Sequence, residues 1–158
     1  PGPVFVLGHS FGAVCAFEAA FLTNKIGRLV LYEPPLLNPD NAASLARMAN
    51  MIESGDRDGA TTIFQREVVM NSTGEVAAMK SRPSWPGLVA TIETSIRQDR
   101  ALSAYRFDPV RAASMSLPTL LPIGSDTTSP WLKLTVAPLV EASPNRRRFV
   151  FEGTHPSA

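Results

Sequence analysis

The feature that most constrains this chain is a short apolar run followed at once by a serine between two glycines and then by a helical pattern. Residues Val4–Leu7 are continuously apolar, as is typical of a strand buried on both faces. The motif that follows reads Gly8-His9-Ser10-Phe11-Gly12. Residues 10–23 then have helical spacing, and a second strand is predicted at Arg28–Tyr32. Strand, helix and strand within about thirty residues predict a βαβ unit with a right-handed crossover.

The helix predicted after the serine has one side that should face a core. Its apolar positions predict the following inward residues: Phe11, Val14, Cys15, Ala19 and Leu22. Cys15 is the only cysteine of the chain, which excludes an intramolecular disulfide and a cysteine-rich metal site. We therefore interpret Cys15 as a small buried hydrophobic residue.

The middle of the chain carries helix signals and no convincing strand. Asn38-Pro39 predicts the start of a helix, and Asp56 can cap the next one. Residues 72–75, Ser-Thr-Gly-Glu, fit a capping box. We interpret residues 38–106 as a helical lid inserted between strands, and an independent helical subdomain is the alternative.

The strand pattern returns in the last third of the chain. Strands are predicted at Thr119–Ile123 and Arg148–Phe151, with a helix between them. Pro122 predicts a local bulge, because proline lacks the N–H that a strand ladder needs. Alternating strands and helices predict an α/β fold whose strands form a parallel sheet in sequential order. The predicted organisation is a sheet-bearing core of residues 1–37 and 107–158 with residues 38–106 inserted.

Ser10 lies where nucleophilic catalysis needs a serine, between the end of a strand and the start of a helix. A sharp turn there lifts the hydroxyl clear of the sheet. We expect glycine at Gly8 and Gly12 because larger side chains would collide with the neighbouring strand and helix. The backbone N–H of Phe11 is predicted to face the oxyanion that develops on a substrate, and the helix start adds its partial positive charge. Ser10 is therefore the candidate nucleophile.

A serine nucleophile needs a base, and the base needs an orienting acid. The only histidines are His9 and His155. His9 lies inside the turn and is predicted to pack locally, whereas His155 follows the last predicted strand, at the edge where α/β sites form. His155 is therefore the candidate base. Asp126, after the third predicted strand, is the preferred acid, and Glu33, at the tip of the second, is the alternative.

Together these motifs resemble the lid-bearing serine α/β-hydrolases of esterase type. The resemblance rests on Val6-Leu7-Gly8-His9-Ser10-Phe11-Gly12-Ala13, Arg28-Leu29-Val30-Leu31-Tyr32-Glu33-Pro34-Pro35, Leu117-Pro118-Thr119-Leu120-Leu121, Gly124-Ser125-Asp126 and Gly153-Thr154-His155. It implies a nucleophile at Ser10, an acid at Asp126 and a base at His155. The family often places its acid three residues after the glycine that ends the strand. Here the spacing is two, which keeps Glu33 open.

The same family has four strands and two helices before the serine turn, and one loop among them supplies a second oxyanion donor. Because the chain opens at Pro1 almost directly into a strand, we expect it to be the C-terminal portion of such a fold. The Val4–Leu7 strand, central in the family, would then be an exposed edge through which the chain self-associates. A catalytically silent fragment that acts as a binding module is the alternative to an enzyme.

The resemblance implies transfer of an acyl group from a small ester-like substrate to water. Serine rather than aspartate at position 10 argues against dehalogenase and epoxide hydrolase chemistry, which form an ester on a carboxylate. Esterase, lactonase, thioesterase, carbon–carbon bond hydrolase and acyltransferase activities all stay open. The resemblance implies neither a metal nor an organic cofactor.

Composition bears on the remaining classes of partner. A net charge of +1 creates no field that would recruit nucleic acid or an anionic membrane. No apolar run approaches membrane-spanning length. We therefore expect a cytoplasmic protein with neither nucleic-acid nor membrane partners.

Overall fold

The computed structural model describes residues 2–37, 40–125, 137–142 and 146–152. The chain divides into two compact units, each with buried hydrophobic residues of its own. The first unit comprises Pro1–Asn38 and Tyr105–Ala158, and the second comprises Pro39–Ala104.

A four-stranded parallel sheet forms the centre of the first unit. Its strands are β1 (Val4–His9), β2 (Ile26–Tyr32), β3 (Thr119–Gly124) and β4 (Arg146–Phe151). They pair in the order β1-β2-β3-β4, and every pair is parallel. The predicted α/β fold with sequential strand order is confirmed. Because the strands are parallel, their carboxyl ends meet at one edge of the sheet, where α/β proteins bind ligands.

Along the chain, the helices of the described residues come between these strands. They are α1 (Phe11–Ala19), α2 (Ala42–Glu53), α3 (Arg57–Ile63), α4 (Thr73–Lys80), α5 (Trp85–Ala104) and α6 (Pro109–Ala113). A π-helical turn, Phe64–Val68, continues α3, and residues 137–142 are also helical. No helix in the described part of the chain is both long and apolar enough to cross a membrane.

The buried side of α1 differs from the predicted one. The helix packs against β1 and β2 and buries Ala13, Val14, Ala16 and Phe17. Of the residues predicted to point inward, Val14 is buried and Phe11 and Ala19 are half-buried. Cys15 is exposed and Leu22 is 81% exposed, so the prediction is wrong at these two positions. The reason is that Glu18 is the only charged residue of α1. A helix that is apolar on nearly every side gives the periodicity little contrast from which to choose a face.

β1 lies at an edge of the four-stranded sheet, as expected for this chain. Val4, Phe5 and Leu7 are 55%, 74% and 70% exposed. The pattern expected of a strand buried on both faces is therefore wrong for β1. Its neighbour β2, in contrast, buries Leu29 and Leu31.

Pro122 sits in a regular part of the sheet. The pairing of β3 with β4 runs without a shift from Thr119–Arg146 to Gly124–Phe151, so the predicted bulge is wrong. The paired residues of β2 and β3 stop at Val30 and Leu120. Beyond that point the carbonyl of Pro122 accepts the N–H of Glu33 at 3.2 Å. The Pro122 carbonyl can still accept a hydrogen bond. The N–H that Pro122 lacks would lie beyond Val30–Leu120, the last residue pair of the β2–β3 ladder.

The second unit is helical and has its own hydrophobic core, built around the following residues: Leu45, Met48, Ala60, Val68, Ile92 and Ile96. The Asp56 side chain caps α3 by accepting the N–H of Gly59 at 2.8 Å, and Ser72 and Glu75 form the predicted capping box of α4. α2 begins only at Ala42, whose N–H is accepted by Asp40, so the start predicted at Asn38-Pro39 is wrong. Residues 38 and 39 themselves lie outside the described residues.

Candidate active site

Ser10 occupies the turn between β1 and α1 and has a strained backbone. Its φ and ψ are 52° and −125°, a left-handed conformation that costs a non-glycine residue about 1–3 kcal/mol. The N–H of Ser10 donates to the carbonyl of Tyr32 at 2.9 Å, and its own carbonyl accepts the N–H of Ala13 at 2.9 Å. Serine is a favoured cap residue, yet the Ser10 side chain makes no capping hydrogen bond with α1. Its exposed hydroxyl is therefore available to a substrate.

Of the two motif glycines, only Gly8 is required by contacts within the described residues. A Cβ on Gly8 would lie 2.4 Å from the oxygen of Gly12 and 2.6 Å from the Cα of Ala13. Apart from its chain neighbours and the backbone of α1, no atom of the described residues lies within 4 Å of a Cβ built on Gly12. The expected collision is therefore found at Gly8, whereas at Gly12 the expectation is wrong. The strand meets the helix backbone at residues 12 and 13, and a Cβ on Gly12 would point away from that contact.

Phe11 is the first residue of α1. An N–H group in the first turn of a helix has no acceptor within the helix. The first-turn N–H groups also carry the positive end of the helix dipole. The backbone N–H of Phe11 is thus suited to hold an anionic oxygen next to Ser10, the role predicted for it.

His9 packs locally, as expected. It is opposite Tyr32 in the β1–β2 register, and the two ring centroids are 5.2 Å apart with the planes inclined at 44°. The His9 ring therefore packs against β2, through Tyr32.

Glu33, the alternative acid, is buried at the tip of β2. Its side chain is 2% exposed, and its φ of 47° is left-handed. Oε1 accepts the N–H of Gly124 at 2.9 Å. The carboxyl end of β2 therefore links the ends of both neighbouring strands, through Tyr32 to Ser10 and through Glu33 to Gly124.

Asp126 and His155 lie outside the described residues. The described chain stops at Ser125, one residue before Asp126, and at Glu152, three residues before His155. The structure thus brings together Ser10, Glu33 and the Gly124–Ser125 turn, and the relation of Ser10 to its acid and base stays a prediction. Sequence reasoning missed the tethering role of Tyr32, which acts through a backbone carbonyl that no side-chain motif reports.

A second group of residues missed by the sequence reasoning holds α1 in place. Glu18 of α1 accepts a hydrogen bond from the hydroxyl of Tyr105 at 2.7 Å and pairs with Arg111. The Arg111 guanidinium also lies 4.3 Å from the centre of the Phe21 ring. Burial, and then the hydrogen bond to Glu18, raise the pKa of Tyr105, which keeps it a neutral donor. These contacts fix the helix whose first turn carries Phe11.

Within the described ranges, no group of three or more His, Cys, Asp or Glu side chains is arranged to hold a metal ion. What these residues offer is an exposed serine hydroxyl on a strained turn, a helix start that can stabilise negative charge, and a buried glutamate at the tip of β2.

Comparisons with known proteins agree with this architecture. The chain matches an alpha/beta hydrolase from Sphaerobacter thermophilus DSM 20745 with a TM-score of 0.81 and 33% identity, over 98% of this chain and 62% of that one. A hydrolase from Pseudomonas aeruginosa PA01 matches with a TM-score of 0.66 and 16% identity, over 94% and 56% of the two chains. An N-formylmaleamic acid deformylase from Pseudomonas putida S16 matches with a TM-score of 0.56 and 20% identity, over 96% and 59%.

The last two structures are too distant in sequence to support more than the fold. This chain spans about three fifths of the length of the three proteins, since it covers 62%, 56% and 59% of them. A search of curated proteins gave no significant match. The sequence profile of the alpha/beta hydrolase family matches residues 1–157. The chain belongs to the α/β-hydrolase family.

Proposed function

We propose that this chain carries the nucleophile of a serine hydrolase that cleaves an ester-like acyl substrate through an acyl-enzyme on Ser10. The observation that supports this most strongly is the backbone of Ser10, held at φ 52° between β1 and α1 while its hydroxyl does not cap the helix. Strain at a residue whose side chain does nothing for the helix is typical of a functional position.

In the proposed reaction His155 accepts the hydroxyl proton of Ser10 as Oγ attacks the substrate carbonyl. The N–H of Phe11 is one of the two donors to the oxyanion that the family uses. His155 then protonates the leaving group and activates the water that hydrolyses the acyl-enzyme. Asp126 orients His155 throughout.

The substrate class is proposed only as a small molecule with an acyl carbonyl. An aspartate would be needed at position 10 for an alkyl-enzyme ester, and Ser10 therefore favours acyl transfer. Thioesterase and acyltransferase activities use the same residues and differ in the leaving group or acceptor. The second unit is proposed to act as a lid over the substrate, and the protein to act in the cytoplasm without a metal or organic cofactor.

A catalytically silent role is the second candidate, and the exposed apolar edge strand β1 is the observation that favours it. A fluorophosphonate probe separates the two, because it labels an activated serine whatever the substrate. We expect the intact protein to be labelled and Ser10→Ala to be unlabelled. Labelling of folded Ser10→Ala, or no labelling of the folded wild type, would contradict the proposed function.

A further inference from the structure

The last residues at the tip of β2 hold the ends of both neighbouring strands. The carbonyl of Tyr32 accepts the N–H of Ser10 at 2.9 Å on the β1 side. On the β3 side, Glu33 donates its N–H to Pro122 at 3.2 Å and accepts the N–H of Gly124 on Oε1 at 2.9 Å. The tip of β2 therefore fixes the spacing between the serine turn and the end of β3.

Glu33 combines two features that are uncommon in a glutamate. It is one of three non-glycine residues with a positive φ among the described residues, and the residue is 2% exposed. Glutamate is almost never fully buried unless it is paired. The buried carboxylate and the left-handed backbone are held together by the bonds to Pro122 and Gly124, as expected where the surroundings over-determine a strained residue.

We propose that Glu33 is a positioning residue whose carboxylate holds the Gly124–Ser125 turn and thereby sets the place of Asp126, the residue that follows. The inference rests on the proposed function of Ser10, Asp126 and His155. In this role Glu33 acts through the turn, by accepting the N–H of Gly124. This role requires a side-chain oxygen that reaches the N–H of Gly124. A triad acid would also need the negative charge.

Two matched variants separate the effect of side-chain length at position 33 from the effect of its charge. Glu33→Gln keeps the chain length and an oxygen acceptor but removes the charge. Glu33→Asp keeps the charge, but its side chain is one methylene shorter and falls short of the N–H of Gly124. The measurement is hydrolysis of p-nitrophenyl acetate by the intact protein, with kcat and KM determined across pH.

We expect Glu33→Gln to stay within about tenfold of the wild-type kcat/KM, because a neutral oxygen still accepts the N–H of Gly124. Its pH profile should keep the wild-type acid limb, because in this proposal the carboxylate that orients His155 belongs to Asp126. Glu33→Asp should lose about a hundredfold in kcat with little change in KM, the cost of misplacing a catalytic group by about 1 Å.

Amide hydrogen exchange of the peptide that contains Gly124 gives a readout that does not depend on catalysis. Exchange at Gly124 should be faster in Glu33→Asp than in the wild type and unchanged in Glu33→Gln. A loss of about four orders of magnitude in Glu33→Gln would overturn the proposal and identify Glu33 as the triad acid. Wild-type turnover and wild-type exchange in Glu33→Asp would also overturn it. Wild-type turnover in Ser10→Ala would instead contradict the function of Ser10, and the positioning role with it.

Discussion

Ser10 holds its backbone in a region that L-amino acids avoid, at φ 52°, while its side chain gives α1 no capping hydrogen bond. Glycine would adopt this turn with less strain. The strain is supported by backbone bonds on both sides, to Tyr32 and from Ala13, so the turn is fixed before any substrate arrives. This strained backbone is the residue-scale observation that supports the proposed role of the Ser10 hydroxyl.

The first prediction follows from the role of that hydroxyl. In the intact protein Ser10→Ala should lower the hydrolysis of short acyl esters by about a millionfold, leaving the residual rate that binding and the oxyanion site provide. The measurement is steady-state turnover of p-nitrophenyl acetate, with circular dichroism to verify folding. Near-normal turnover by folded Ser10→Ala would remove Ser10 from the mechanism.

A second prediction at this scale concerns the acid. Asp126→Asn should lower turnover by roughly four orders of magnitude, as expected when a histidine loses its orienting carboxylate. Glu33→Gln should be far less damaging in the same assay. The reverse order of the two effects would show that the acid follows β2 and that Asp126 has been misassigned.

At the scale of elements, apolar runs and the glycine, proline and asparagine residues that end them predicted β1, α1, β2 and β3. The same signals predicted that Ser10 lies between a strand and a helix. The buried side of α1 could not be predicted, because its residues are apolar around nearly the whole helix. The Glu33–Gly124 tether could not be predicted either, since it joins groups 91 residues apart and one partner is a backbone N–H. The start of α2 was predicted too early, because the proline at position 39 is a strong sequence signal for a helix start. In the structure α2 begins at Ala42, whose N–H is accepted by the Asp40 side chain.

The serine turn itself yields a prediction with an internal control. Gly8→Ala should destabilise the protein by about 1–3 kcal/mol or more, because its Cβ would overlap the backbone of the helix start. Gly12→Ala should be neutral, or stabilising by up to about 1 kcal/mol, because alanine favours a helix over glycine. Urea unfolding of the two variants measures the difference. Equal destabilisation by both would contradict the contact made by Gly8 with Gly12 and Ala13.

In the second unit, Asp58 links α3 to α4 and α5. Hydrogen bonds from Lys80 and then Trp85 hold the pKa of Asp58 below its ordinary value of 3.8. The folded state thus binds this proton less tightly than the unfolded state. The contribution of Asp58 to stability is therefore present above about pH 4 and is lost as the pH falls through the lowered pKa.

Because Asp58 and Lys80 are largely exposed, this contribution should be less than about 1 kcal/mol. The test is the difference in unfolding free energy between wild type and Asp58→Asn, measured near neutral pH and again well below pH 4. The difference should shrink in acid. A difference that is constant or grows as the pH falls would contradict the assignment.

At the scale of the whole molecule, the chain belongs to a family whose similar structures are longer, and it spans about three fifths of their length, 62% in the first case. In the part of the chain that the structure describes, the sheet has four strands, and β1 exposes Phe5 and Leu7 at an edge. An edge strand with apolar side chains and unpaired backbone groups is a template for association with another chain.

We therefore expect residues 1–158, expressed alone, to associate and to hydrolyse esters very slowly. The chain covers 62% of a similar structure, and the loss of one oxyanion donor would by itself lower the rate by about a hundred- to a thousandfold. Size-exclusion chromatography should give a broad or early peak, and Leu7→Lys should increase the monomer because a charge on an edge strand opposes pairing. A monodisperse monomer with ordinary esterase turnover would contradict both expectations.

The most direct test of the account is to trap the acyl-enzyme. The intact protein is mixed with p-nitrophenyl acetate, quenched in acid within the first turnover and digested, and the peptides are analysed by mass spectrometry. We expect a burst of p-nitrophenolate and one acetyl group on Ser10, with neither in Ser10→Ala. Turnover without an acetylated serine, or an acetyl group that forms at another residue with the same kinetics, would contradict it.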